Sequence, residues 1–177
     1  MEEFYGLHGS GGAFASFSLM PDMQAGWEQM CSSVMAGLSG LNMVYEAAGM
    51  HASLLGFCHE SLILGDDLIG QSMRCVRGIE VNDETLALDQ IADVCLNGPG
   101  HYLGTDQTLG RMQSDHVYPQ LGDRTSPKEW AEIGKPVLTE KATKIKEDIL
   151  SKPSEVAFDP ILDANLRKKY KIHLNMN

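Results

Sequence analysis

At 177 residues the chain is long enough to bury one sizeable core, and a single domain spanning 1–177 is expected. Asp and Glu number 24 against 14 Lys and Arg, a formal charge of -10, and the basic residues after Lys128 form no dense patch, so nucleic-acid binding through counterion release is not expected. No apolar run approaches the ~18 residues of a membrane span, and Glu2 and Glu3 stand where a signal peptide would be basic, so a soluble cytoplasmic protein away from membranes is expected.

The glycines at 6, 9, 11 and 12 make the opening loop-like, and the alternation of small and aromatic residues from Ala13 to Ser18 predicts a short strand. Pro21 and Asp22 start a helix with Asp22 as its cap; Trp27, Met30, Val34 and Leu38 recur at helical spacing until Gly40. The run from Leu41 to Ala48 reads as a buried strand ending near Gly49. Strand, helix and strand in succession predict a parallel pair with a crossover, hence an α/β class.

A second helix is expected from about His59 to Arg77, where Leu62, Ile69, Met73 and Val76 share a face and Gly78 terminates it. Asn82 caps a helix expected from Asp83 to Leu96, which Asn97-Gly98-Pro99-Gly100 must break. Further strands are expected around Leu54 and Tyr102. Ser126, Pro127 and Glu129 combine a capping serine, a proline at the first helical position and a glutamate three residues after the cap, which predicts a short helix ending at Gly134. Val137–Lys152 and Asp159–Ile172 read as charged amphipathic helices around Pro153. A composition shift near Thr125 separates strand and helix units, 1–124, from a helical tail, 125–177.

Cys31, Cys58, Cys75 and Cys95 are 27, 17 and 20 positions apart, matching neither a zinc ribbon nor a redox pair, so packed, reduced thiols are expected. His51, Cys58, His59 and Glu60 make no complete metal-ligand set, and Glu60 is expected to cap or pair within the helix start.

Several segments in order carry a resemblance. Pro21-Asp22-Met23-Gln24-Ala25-Gly26, Tyr45-Glu46-Ala47-Ala48-Gly49, the run Arg77 to Ala87, Gly98-Pro99-Gly100-His101-Tyr102-Leu103, Pro119 to Arg124, and Trp130 together resemble the carboxyl-terminal portion of the trimethylamine methyltransferase family. The resemblance extends from about Gly11 to Leu150. It implies the last part of a (β/α)8 TIM-type barrel, a fold of about 250 residues and eight strands, followed by a helical tail. It also implies methyl transfer from a small methylated amine or betaine to the cobalt of a corrinoid (cobalamin) held on a partner protein, with no cofactor bound directly by this chain. The strands absent from the barrel leave faces that a homo-oligomer, or a partner supplying the missing half, is expected to cover.

Substrate binding is expected from Glu46, at the strand end where barrel sites assemble, with Tyr45, His101, Tyr102 and Phe17 around it. In a regular strand Tyr45 and Glu46 face opposite sides. Betaine-type relatives carry histidine at Glu46; Ala15 takes the place of pyrrolysine; Phe17 and Leu19 replace Asp and Lys; and Gln107 replaces histidine. These departures assign no catalytic residue and keep open a second reading, a non-catalytic barrel remnant or scaffold that binds a small cation or a partner. An S-adenosylmethionine enzyme is a third, but no Gly-rich fingerprint in a nucleotide-binding unit supports it.

Overall fold

A computed structural model describes residues 2–13, 15–153 and 159–173. The chain divides into two compact units, Met1–Lys146 and Glu147–Asn177. The first opens with one helical turn, α1 (Glu2–Tyr5), and a short strand, β1 (Ser10–Gly12). Helix α2 (Met23–Leu38) follows, and strand β2 (Met43–Tyr45) pairs parallel to β1 with Gly11 opposite Val44. The expected strand, helix and strand are present, but the first strand falls before the stretch expected for it. Phe14 lies outside the described residues. Residues 15–18 are irregular, because the Ser16 and Phe17 amides bond to Met50 and Glu28 instead of joining a ladder.

Asp22 caps α2 as expected, its carboxylate accepting from the Ala25 amide at 3.0 Å. Strand β2 is shorter than expected, and only its central Val44 packs inward, onto the small core formed by Ala13 and Ala36 with Leu41, Ala47, Leu68 and Ile69. Strands β3 (Met50–His51) and β4 (Gly56–Phe57) form an antiparallel hairpin. Leu54, expected on a strand, lies instead in the hairpin tip, where Ala52, Ser53 and Leu54 take φ of 50°, 53° and 73°.

Helix α3 (His59–Arg77) ends as expected at Gly78, whose φ is 70°. It packs on α2, and the buried residues of both helices are small or polar: Ala25, Gln29, Ser33 and Ala36 on α2, and Ser61, Gly65 and Ser72 on α3, where Gly65 lies against Ala48. Ser72 Oγ donates to Met30 Sδ at 3.4 Å across the contact, and a Cβ on Gly37 would lie 2.3 Å from Val76 Cγ2. Small residues on one helix thus face larger ones on the other, Gly37 against Val76 and Ser72 against Met30. Of the faces marked by helical spacing, Met30, Val34, Ile69 and Val76 are half-buried as expected, whereas Trp27, Leu38, Leu62 and Met73 are exposed.

The single helix expected from Asp83 to Leu96 is three pieces: α4 (Asp83–Leu86), α5 (Leu88–Ala92) and a π-helical turn over Asp93–Asn97. Ala87 is left-handed, φ 49° and ψ 41°, and breaks the run, while Asn82 caps α4 in a capping box with Thr85. Tyr102, expected on a strand, lies in irregular chain before α6 (Asp106–Arg111). Helix α7 (Pro127–Glu132) carries the expected capping box of Ser126 and Glu129. Helix α8 (Leu138–Ser151) follows, and the second unit contains α9 (Pro160–Lys169), capped by Asp159 and braced by an Arg167–Asp163 pair at 2.8 Å. Among the described residues no helix is long and apolar enough to cross a membrane.

Candidate functional site

Because β1 and β2 are parallel, their carboxyl ends lie side by side, with Gly12 opposite Tyr45. Glu46 leaves the strand with a φ of 60°. That turn ends the alternation of a regular strand, and Tyr45 and Glu46, expected on opposite sides, both come to Gly12. A Cβ built on Gly12 would lie 3.3 Å from Tyr45 Cε2 and 3.7 Å from Glu46 Oε2. The glycine leaves a space that the Tyr45 ring and the Glu46 carboxylate both border. Both are open to solvent, Tyr45 being 48% exposed.

The segment after β1 carries Phe17 and is tied to α2. Ser16 Oγ donates to Glu28 Oε2 at 2.6 Å, the Phe17 amide donates to the same oxygen at 2.8 Å, and Gln24 Nε2 donates to Oε1 at 3.0 Å. The Ser16 hydroxyl foremost, then Gln24, holds the Glu28 carboxyl below its ordinary pKa. Phe17 itself projects outward, 73% exposed. Glu28 escaped sequence reasoning because its hydroxyl partner lies 12 residues earlier in a loop, a spacing that no helix or strand rule generates.

Tyr102 is engaged elsewhere. Its hydroxyl meets Cys95 Sγ at 3.4 Å, which pushes its pKa up, and its carbonyl accepts from the Thr105 amide and hydroxyl. His101 is exposed in the turn beside it, and Gln107 Nε2 donates to the Glu84 carbonyl at 2.9 Å. His51 is buried between Ser18 and Ser61, while Cys58 caps α3 by accepting from the Ser61 amide at 3.3 Å. His59 stacks edge-on against Phe57, with ring centroids 5.4 Å apart. Glu60, expected to act within the helix start, reaches Lys146 on α8 at 2.6 Å, and that bond lowers its pKa. Among the described residues no three His, Cys, Asp or Glu side chains gather into a metal-ligand set.

An open groove of about 1400 Å³ begins at Pro21 and Asp22 and runs between α2, α3 and the 121–141 region, with Met23, Trp27, Leu68, Trp130 and Val137 among its walls. It presents apolar surface of the kind that receives a ligand or another polypeptide.

The sequence profile described as Trimethylamine methyltransferase (MTTB) matches residues 1–173. The chain is 29% identical over 168 residues to the glycine betaine methyltransferase of Desulfitobacterium hafniense, covering 94% of this chain and 34% of that protein. It is 33% identical over 169 residues to trimethylamine methyltransferase MttB2 of Methanosarcina mazei, covering 95% and 32%, and 32% identical over 151 residues to trimethylamine methyltransferase MttB of Methanosarcina barkeri, covering 85% and 30%. The chain thus spans about a third of the length of these curated relatives. With a profile match over nearly its whole length and relatives 32–33% identical over most of it, this chain belongs to the trimethylamine methyltransferase family.

Proposed function

We propose that this chain is the carboxyl-terminal part of a methyl-transfer enzyme that holds a methylated amine or betaine-like cation at the carboxyl ends of β1 and β2. The observation that carries this reading is the convergence of the Tyr45 ring and the Glu46 carboxylate on Gly12. An aromatic face and a carboxylate are the two groups that attract a quaternary ammonium, which offers no N–H to a hydrogen-bond acceptor. In this reading the parallel pair with its crossover helix belongs to a (β/α)8 barrel whose other strands lie outside the chain.

The chemistry asks little acid or base catalysis of the protein. As the C–N bond breaks, its electron pair stays on nitrogen, the amine leaves neutral, and the methyl group passes to a nucleophile. In this reading a reduced corrinoid on a partner protein would supply that nucleophile when docked, and the part of the residues here is to fix the cation and exclude water. Ala15 ends in a methyl group and forms no adduct with an amine, which favours betaine-type donors over trimethylamine. Glu46 repels a substrate carboxylate placed on its own side, so the donor's anionic end points away from it.

The test is methyl transfer from glycine betaine, carnitine or trimethylamine to a reduced corrinoid protein, followed by the corrinoid absorbance and by proton spectra of the demethylated amine. Transfer is expected from a betaine-type donor. Glu46→Gln should raise the donor's KM by about tenfold with little change in kcat, as expected for a lost ground-state cation contact. No transfer from any donor, together with no binding of tetramethylammonium, overturns the proposal.

A further inference from the structure

His51 is 4% exposed and Ser61 2%, and they lie side by side beneath the loop that follows β1. His51 Nδ1 sits 3.3 Å from the Ser18 carbonyl, and its Nε2 bonds to Ser61 Oγ. A carbonyl only accepts, so Nδ1 carries the proton; Ser61 Oγ, which accepts from the Cys58 thiol at 3.1 Å, donates its own hydrogen onward to Nε2. The result is one directional chain of hydrogen bonds from the amino end of α3, through the imidazole, into the backbone of the loop that carries Phe17.

The rest of that loop is fixed by its surroundings. The Ser16 amide donates to the Met50 carbonyl at 3.3 Å, the Ser53 amide to the Ser16 carbonyl at 3.1 Å, and the Ala52 amide to the Ser18 carbonyl at 3.0 Å. On the α2 side the Phe17 amide is held by Glu28 and Ser18 Oγ by Asp22. His51 is the side chain that ties this loop to α3, and Ser61 also lines the groove. We propose that His51 is a positioning residue: it sets the direction in which Phe17 projects from the loop that follows β1, by donating from Nδ1 to Ser18 while Ser61 keeps its ring from turning. Its bearing on cation binding rests on the function proposed above; its effect on Phe17 does not.

The two ring nitrogens can be tested separately. His51→Asn keeps a donor where Nδ1 stands and loses the acceptor, whereas His51→Gln keeps an acceptor where Nε2 stands and loses the donor. The five phenylalanines are labelled with 4-fluorophenylalanine, and the Phe17 resonance is assigned with Phe17→Leu. His51→Gln is expected to shift or broaden that resonance and His51→Asn to leave it near the wild-type position, with thermal midpoints recorded for both. If His51→Asn does not fold, Ser61→Ala frees the ring and is expected to reproduce the His51→Gln spectrum. A Phe17 resonance unchanged in His51→Gln, or altered equally in both His51 variants, overturns the inference. Titration with tetramethylammonium separates it from the functional reading: His51→Gln should weaken binding about fivefold, the effect of one net hydrogen bond, while His51→Asn should not. A resonance split between the variants in a protein that binds no tetramethylammonium upholds the positioning role and overturns the cation site.

Discussion

Glu28 accepts from Ser16, Phe17 and Gln24, and each donor favours the charged carboxylate. Its folded pKa lies below the ordinary 4.5, so its contribution to stability is present above about that pH and is lost as pH falls through the lower folded value. Thermal midpoints recorded from about pH 6 down to about pH 3 should therefore fall more steeply in the wild type than in Glu28→Gln. The variant starts less stable and the two curves converge in acid; parallel curves would refute the linkage. What was legible at this scale follows sequence distance. Asp22, Asn82 and Ser126 were readable as caps because their partners stand three residues away. The Glu28 clamp and the Glu60–Lys146 pair were not, since only the folded chain brings those groups together. Tyr45 and Glu46 were expected on opposite sides of a strand; that both come to Gly12 depends on a positive φ at a glutamate, a conformation that the residue type does not announce.

Among the elements, α2 and α3 were legible in extent and half legible in orientation. Apolar spacing marked Met30, Ile69 and Val76, which are half-buried, but also Trp27 and Leu38, which are exposed, and it passed over the small residues Ala36, Gly37 and Ser72. Small residues opposite larger ones permit a close approach with many atoms in contact. Gly37 shows how tight this contact is. A Cβ there would meet Val76 Cγ2 at 2.3 Å, and a β-branched side chain on a helix has no second rotamer of similar energy to retreat to. Gly37→Ala is expected to lower stability by about 1–3 kcal/mol through overpacking, despite the gain in helix propensity. Adding Val76→Ala should recover part of the loss, and denaturant titrations of both single variants and the double variant measure the coupling. Additive effects would show that the two residues do not touch. The break at Ala87 was illegible for the opposite reason, since alanine is the strongest helix former and nothing in its own chemistry calls for φ of 49°.

For the molecule as a whole, the family was legible from ordered segments, although each segment alone is weak, and the profile over 1–173 bears the reading out. What lies against this chain in its working state was not readable, because the chain spans about a third of its relatives' length and its sheet strands are short. Met23, Trp27 and Leu38 on α2 and Met43 on β2 are exposed, and apolar surface of this kind favours association. Light scattering at micromolar concentration is expected to give a mass above the 19.4 kDa of one chain. Trp27→Lys should return it to that value if the groove is the contact. A wild type that stays at 19.4 kDa across the concentration range would exclude self-association as the cover.

The three residues from Ser16 to Ser18 are held before any ligand arrives, by Glu28 and Asp22 on one side and by the hairpin and His51 on the other. Fixing one residue's backbone costs about 1–2 kcal/mol of conformational entropy, so immobilising a three-residue loop on binding would cost about 3–6 kcal/mol. That amounts to a hundredfold or more in Kd, a severe handicap for a cation of only a few heavy atoms. Here the ordering is completed during folding, so in the proposed reading that cost does not fall on the binding of a small cation.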